Sequence, residues 1–316
     1  MKKFKSLLYN LTATDLLVII FYLFLSLLNI IYADRIDNWL IHIIGNILLI
    51  VFVFSIAYID KYKSNFYWEQ LHFWYLIPLV FITYKELYFM IRPIRIVDFD
   101  QALINIDRWL FGFDVTVELA AISVPLLTEI LQIVYSTFFF LPIILGIELM
   151  KKGRIKALKF SLFSVVYGFF LSYIGYILVP AIGPRFTLHD FELINTELPG
   201  LLLTNFLREA INAGEAIRES TLNPAEIVAR DVFPSGHTQI TLIIMYLSVK
   251  LKTVTRWFFI PNGILLIFAT VYLRYHYLID LIGGIILMIF TMWSGYYLYN
   301  YWMKIKNGIE FNYQDF

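Results

Sequence analysis

Long apolar runs follow one another through most of this chain, and they restrict its fold more than any other feature. A helix needs about 20 apolar residues to cross the hydrocarbon layer of a membrane. Hydrophobic residues fill 60% of the 316 positions and charged residues only 16%, whereas soluble domains are about half apolar and a quarter charged. We therefore predict an all-α, polytopic membrane protein built as a helical bundle.

Eight segments qualify, or nearly qualify, as membrane spans. They are predicted at 12–33, 37–59, 70–92, 124–149, 157–181, 238–252, 257–275 and 277–302. The absence of cysteine excludes disulfides, thiolate metal sites and cysteine nucleophiles. The formal net charge of +1 provides no positive field for a polyanion, so no nucleic-acid partner is expected.

The basic residues between the spans predict the orientation. One set of connections carries lysine clusters, such as 151–159. The connections of the opposite set are much longer, and their positively charged residues are all arginines and include no lysine. Because positive charge accumulates on the cytoplasmic side, we expect both termini in the cytoplasm. The connections 93–123 and 182–237 and the turn near 274–276 then face outward. Lysine-rich inner loops fit a bacterial inner membrane.

Two of the outward stretches have helical character. At 98–118, apolar residues recur at helical spacing opposite Asp100 and Asp107, which predicts a helix lying in the membrane interface. The stretch 201–219 is amphipathic and lies inside a loop of about 50 residues, and loops of that length are usually functional or disordered. We interpret this loop, 182–233, as a lid.

Three short polar stretches are predicted to meet at the outer ends of spans five to eight. They are Gly183-Pro184-Arg185, Pro234-Ser235-Gly236-His237 and Arg274-Tyr275-His276-Tyr277-Leu278-Ile279-Asp280. Arg185 and Arg274 carry planar guanidinium groups that match phosphate oxygens. Ser235 and Gly236 open a helix whose N-terminus faces outward, so their backbone is expected to approach the same anion.

The two histidines of these stretches suit phosphoryl transfer, which needs a nucleophile and a proton donor. Asp280 follows His276 by four residues, which on a helix places both on one face. A carboxylate that holds one ring nitrogen leaves the other free to attack, so His276 is the predicted nucleophile and Asp280 orients it. His237 has no such carboxylate nearby in sequence and suits the general acid.

Pro-Ser-Gly-His followed by His-x-x-x-Asp resembles the type 2 phosphatidic acid phosphatase superfamily. That group includes lipid phosphatases, lipid phosphotransferases, bacterial acid phosphatases and vanadium haloperoxidases. The patterns at 107–112, 183–185 and 270–273 look closest to the branch that contains inositol phosphorylceramide synthases. The resemblance implies a phosphohistidine on His276, His237 as the acid, and neither a metal nor another cofactor.

The chain departs from the common pattern of that superfamily at two places. Leu178 stands where the first motif has a lysine, and Ala269-Thr270 stand where the third motif has Ser-Arg. Arg274 lies only two residues before His276, so it reaches the same site only if the helix breaks between spans seven and eight.

The resemblance divides the chain into three parts. Residues 1–66 form an added pair of transmembrane helices, 67–303 a six-helix catalytic core that includes the interfacial helix and the lid, and 304–316 a cytoplasmic tail. The favoured function is a membrane lipid-phosphate phosphatase with an extracytoplasmic site. One alternative is a lipid phosphotransferase. A membrane transporter or flippase is another, because Lys85 and Glu86 are ionisable residues inside a predicted span.

Overall fold

The computed structural model describes residues 8–63, 65–218, 220–306 and 308–315. Within these residues the protein is all-α, as predicted, and has no β-strand. Its helices of nine or more residues are α1 (Ala13–Ile31), α2 (Trp39–Tyr62), α3 (Phe66–Trp74), α4 (Leu76–Ile94), α5 (Asp100–Phe111), α6 (Pro125–Ser136), α7 (Phe140–Lys151), α8 (Ile155–Leu178), α9 (Thr204–Gly214), α10 (Gly236–Lys250), α11 (Arg256–Tyr272) and α12 (Leu278–Ile305).

Several of these helices are long and apolar enough to cross a membrane. Among the described residues five stretches qualify, namely α1, α2, α3 together with α4, α8 and α12. A sixth forms if α6 and α7 count as one span, which is bent by 54° between Ser136 and Phe140. α10 has 15 residues and α11 has 17. All eight predicted segments are helical, but the predicted count of eight membrane spans is not confirmed.

The helix α8 lies at the centre of the bundle. It packs against α4, α7, α10 and α12, and most of its residues are buried. α10 also packs against α11 and α12. The start of α10 lies close to the start of α12, because the Ser235 N–H donates to the Asp280 carbonyl oxygen at 3.0 Å. Glycine at 284 permits this approach, since a Cβ there would lie 2.7 Å from the Ser235 carbonyl oxygen.

The first two helices pack against the rest of the bundle. α1 contacts α2 and α8, and the rings of Phe21 and Phe170 stack with centroids 3.9 Å apart. Glu86 of α4 is buried and accepts hydrogen bonds from Asn29 at 3.1 Å and Asn46 at 2.8 Å. Because buried polar groups must be hydrogen-bonded, this contact ties α4 to α1 and α2.

The helix α5 lies within the stretch predicted to form an interfacial helix, but different residues are exposed on it than expected. Asp100 and Asp107 were expected on its outer polar side, yet both are buried. The exposed face instead carries Trp109 and Leu110, which are 81% and 42% exposed. The expectation about the aspartates was wrong because both carboxylates accept hydrogen bonds from backbone N–H groups of other segments.

Candidate functional site

The two histidines singled out from the sequence contact each other. His276 Nε2 lies 3.4 Å from His237 Nδ1, and the ring centroids are 5.6 Å apart. His276 is only 3% exposed, whereas His237 is half-buried and lines a cavity. The structure thus brings together two side chains that lie 39 residues apart in sequence.

His276 lies in the turn between α11 and α12, not on a helix. Its N–H donates to the Thr270 carbonyl oxygen at 3.0 Å. Asp280 Oδ2 lies 3.3 Å from His276 Nδ1 and accepts from the Tyr277 N–H at 2.7 Å. The predicted pair therefore forms, but through the first turn of α12 and not along one helix face. The carboxylate holds Nδ1, so Nε2 is the nitrogen that faces His237.

Burial sets the protonation state of His276. The ring is enclosed, and this desolvation lowers the pKa of His276 to about 4. The negative charge of Asp231 opposes the shift, whereas the positive charge of Arg185 adds to it. At neutral pH the imidazole is therefore uncharged and keeps the lone pair that a nucleophile needs.

Two aspartates of α5, which the sequence did not assign to the site, hold the turns that carry it. Asp107 accepts from the N–H groups of Leu278 at 2.8 Å and Ile279 at 2.7 Å, which caps the start of α12. Asp100 accepts from Gly183 N–H at 2.8 Å and from the Tyr277 hydroxyl at 2.7 Å. One helix thereby fixes both the Gly183 turn and the turn that carries His276.

The Ser235–Gly236 turn is engaged within the protein. Ser235 is fully buried, and its hydroxyl accepts from the Thr238 N–H at 3.2 Å as the cap of α10. Gly236 packs against the Tyr176 hydroxyl, where a side chain would collide. This turn lies directly before His237 and fixes the position of that ring.

The backbones of the two arginines contact each other. The Arg185 N–H donates to the Arg274 carbonyl oxygen at 3.2 Å, and the Arg185 guanidinium lies 4.8 Å from the centre of the Tyr275 ring. Arg274 has a left-handed backbone with φ of 67°, which is uncommon outside glycine. The helix break needed for Arg274 to reach the site is present, because α11 ends at Tyr272 and α12 begins at Leu278.

Each of these arginines is paired with a glutamate of the lid. Arg185 donates to Glu215 and, at 3.1 Å, to Asn212. Arg274 is 1% exposed and donates to Glu197. Burial raises the pKa of Glu215, and the positive charge of Arg185 opposes this shift. The lid therefore places two carboxylates on the two guanidinium groups that suit phosphate.

An apolar cavity of about 420 Å³ reaches His237. Its wall is formed by α4, the α6–α7 break, α8 and the lid helix α9, and it includes Phe81, Phe139 and Ala210. The bend between α6 and α7 places two rings against His237, since the Tyr135 centroid lies 4.7 Å and the Phe138 centroid 4.3 Å from it. We call this space the apolar cavity.

A second cavity, of about 380 Å³, is lined by Arg185 and other residues of the lid. Polar side chains dominate its wall. They include Arg185, Glu192, Asn195, Arg208, Glu209, Asn212 and Arg218. We call this space the polar cavity. It was not anticipated from the sequence.

The ionisable residues of α4 have local partners. Lys85 donates to the Gly214 carbonyl oxygen at 2.6 Å and lines the apolar cavity, while Glu86 bonds to the two asparagines described above. The two groups thus belong to different surroundings.

In the described part of the chain, no group of three or more histidine, aspartate or glutamate side chains is arranged to hold a metal ion.

Comparison with known proteins gives two matches. The family model described as the PAP2 superfamily matches residues 101–294, a range that includes both histidines, both arginines and Asp280. The chain is similar to a PA-phosphatase related-family protein of Dictyostelium discoideum, with 29% identity over 143 residues. This match covers 44% of the chain and 24% of the Dictyostelium protein, so the chain spans about a quarter of that relative. No solved structure matches the chain.

Proposed function

The chain belongs to the PAP2 superfamily, and from this premise we propose that it is an integral membrane lipid-phosphate phosphatase that works through a phosphohistidine on His276. Membership supports a phosphatase-type function at the coarser level. The observation that carries the finer proposal is the 3.4 Å contact between His276 Nε2 and His237 Nδ1 at the end of the apolar cavity.

The proposed reaction has two steps. First, His276 Nε2 attacks phosphorus, the bond from phosphorus to the lipid oxygen breaks, and His237 donates a proton to that oxygen. Then His237 takes a proton from water, the resulting hydroxide attacks the phosphohistidine, and phosphate leaves as His276 is regenerated. Asp280 holds Nδ1 of His276 in both steps. Because the two rings contact each other, binding of the substrate has to separate them.

The phosphate is proposed to bind to Arg185 and Arg274. Both guanidinium groups are buried and hydrogen-bonded to carboxylates, and a phosphate dianion offers the same oxygen acceptors with more negative charge. In this proposal the phosphate exchanges with Glu197 and Glu215, and the Ser235–Gly236 turn provides a further backbone contact. The buried Nε of Arg274 has no hydrogen-bond partner among the described residues, so it is a donor available for this exchange.

The apolar cavity supports a lipid as the substrate. It ends at His237, the residue assigned to protonate the leaving oxygen, so the apolar part of the leaving alcohol lies in the cavity. Phe81 and Phe139 of its wall are 42% and 44% exposed. An acyl chain can therefore remain in the bilayer while its phosphate reaches the histidines.

The orientation remains part of the proposal. The lysine-rich connections support cytoplasmic termini, a site on the extracytoplasmic side and a bacterial inner membrane. The division into a helix pair at 1–66, a catalytic core at 67–303 and a tail at 304–316 is likewise proposed. Hydrolysis of a membrane-impermeant phosphate ester by intact cells, absent for His276→Ala, tests the side on which the site opens.

A lipid phosphotransferase is the second candidate, and the polar cavity favours it. This cavity adjoins Arg185 and has room for a polar group of a donor or acceptor beside the phosphate. The transferase differs only in the second step, where an alcohol oxygen replaces water. The transporter alternative receives no comparable support, because Lys85 and Glu86 each have a local hydrogen-bond partner.

Phosphate release from purified protein tests the proposal. We expect the protein to release inorganic phosphate from a panel of lipid phosphates in the presence of EDTA, without an added alcohol. His276→Ala should abolish release, and His237→Ala should lower it by roughly 10²–10⁴-fold, the usual contribution of a general acid. His42→Ala, a histidine of α2 beside Phe89, is the matched control and should keep full activity. Strict dependence on an added alcohol would instead select the transferase.

A further inference from the structure

Arg208 is a buried cation of the lid helix with no carboxylate partner among the described residues. It is 7% exposed, and it donates to the Asn195 side-chain oxygen and, at 3.2 Å, to the Leu198 carbonyl oxygen. Arg185 and Arg274, in contrast, are each paired with a glutamate. A buried charge is costly unless it is paired, so Arg208 is placed to receive an anion.

Arg208 lies close to the residues assigned to phosphate. It shares the wall of the polar cavity with Arg185 and Tyr275. Burial raises the pKa of the Tyr275 hydroxyl, and the positive charges of Arg185 and Arg208 both oppose that shift. The two guanidinium groups thus act on the ring of the residue directly before His276.

Arg208 lies among other positive charges. Burial lowers the pKa of the Arg208 guanidinium, and the positive charges of Arg274 and Arg185 lower it further. Arg185 and Arg274 are ion-paired with Glu215 and Glu197, and the negative charge of Asp231 also acts on Arg185. Arg208 is therefore the one of these three arginines that has no ion-paired carboxylate among the described residues, and an incoming anion would supply a negative charge.

We propose that Arg208 is a third phosphate-binding arginine, which the lid helix α9 contributes to the site. It donates to a non-bridging phosphate oxygen when the phosphate exchanges with the lid glutamates. This inference rests on the proposed function, and it names a residue of the phosphate site that the sequence motifs do not contain. The ligand class is a phosphate group, free or as the headgroup of a lipid.

Binding of orthovanadate, a phosphate analogue, tests this role without requiring turnover. Isothermal titration calorimetry on the purified full chain should give a dissociation constant raised at least about tenfold for Arg208→Gln, since a charge-assisted hydrogen bond is lost. Arg208→Lys, which keeps the charge but not the planar fork, should lie between this variant and the wild type. The Michaelis constant for a lipid phosphate should rise in the same order.

Two control variants separate anion binding from other effects. Arg218→Gln removes the same charge from an exposed position of the same cavity and should change the affinity less than twofold. Asn195→Ala removes a hydrogen bond of Arg208 without removing its charge, and it should also leave the affinity within about twofold. If Arg208 only anchored the lid, Asn195→Ala would weaken binding as much as Arg208→Gln does.

Several results would overturn the inference. Unchanged orthovanadate affinity in Arg208→Gln contradicts it, as does an equal loss in Arg218→Gln, which would indicate a long-range charge effect. If Arg208→Gln does not yield a folded protein, two other results contradict the inference. One is wild-type affinity in Arg208→Ala. The other is a loss of affinity in Asn195→Ala equal to the loss in Arg208→Lys. Absence of phosphate release by the wild type refutes the proposed function alone, because anion binding is measured separately.

Discussion

Glu215 of the lid accepts a hydrogen bond from Arg185, the arginine that also stacks on the ring of Tyr275. The Arg185 guanidinium is 6% exposed and the Glu215 side chain 14% exposed, so the contact is largely shielded from water. A carboxylate in this place offers the same kind of oxygen acceptor as a phosphate. In the proposed reaction Glu215 therefore competes with the phosphate of the substrate for Arg185.

Removal of that competition should tighten binding of the substrate. Glu215→Gln should lower the Michaelis constant for a lipid phosphate about three- to tenfold, because a larger fraction of the protein has Arg185 available. Glu209→Gln removes the same charge from an exposed position of α9, the helix that ends just before Glu215, and it should change the Michaelis constant less than twofold. Steady-state kinetics of both variants test this prediction. An equal fall of the Michaelis constant in both would show a general charge effect and contradict a specific competition at Arg185.

The chain-length dependence of activity should follow the apolar cavity. Ala210 and Ala213 lie on the same lid helix, but Ala210 lines the apolar cavity and Ala213 the polar one. Ala210→Trp should raise the Michaelis constant for long-chain lipid phosphates at least about fivefold, since it fills space that the chain needs. It should spare a short-chain phosphate ester. Ala213→Trp should not discriminate by chain length, and a loss confined to Ala213→Trp would place the lipid elsewhere.

Asp107 should matter for the stability of the site although it is not a catalytic residue. Its carboxylate accepts from two N–H groups at the start of α12, so Asp107→Ala leaves them without that cap. The loss should be about 1–2 kcal/mol, the usual value for a helix N-cap, and thermal unfolding in detergent measures it. Asn105→Ala, at an exposed position of α5, is the control. Equal melting temperatures for the two variants would contradict the assignment.

The pH dependence of kcat/KM should reflect the low pKa of His276. Because burial lowers this pKa to about 4, the ring stays neutral and nucleophilic as the pH falls through the ordinary histidine range near 6.5. The acid limb of kcat/KM, corrected for the second ionisation of the substrate phosphate, should therefore appear near pH 4. An acid limb near pH 6.5 that persists when each of the other histidines is replaced would contradict this prediction. It would mean that the free His276 ring is charged at that pH.

The sequence predicted the positions of the long helices well because apolar runs of membrane length have few alternative structures. The histidine pair was also predicted from its motifs. The number of membrane spans was not predicted, since α10 and α11 are shorter than a full crossing and α6 bends into α7. The length of an apolar run does not reveal where the helix within it ends or breaks.

The partners of the site residues were harder to predict. Glu197 and Glu215 both lie in the lid. Glu197 is 77 residues from its partner Arg274, and Glu215 is 30 residues from its partner Arg185, so no spacing rule predicts either pair. Asp100 and Asp107 have the helical spacing of an exposed polar face, and only tertiary contacts show that they point inward. The motifs thus indicated the groups that we propose to react, whereas the groups that position them depend on the folded chain.

A covalent phosphoryl group on His276 is the central claim, and labelling with a rapid alkaline quench tests it most directly. The protein is mixed with a ³²P-labelled lipid phosphate, denatured within milliseconds and mapped by peptide mass spectrometry. The account predicts an acid-labile, base-stable label on the peptide that contains His276, absent from His276→Ala and formed more slowly in Asp280→Asn. Phosphate release by the wild type with no label on His276, or with label on another residue, would contradict it.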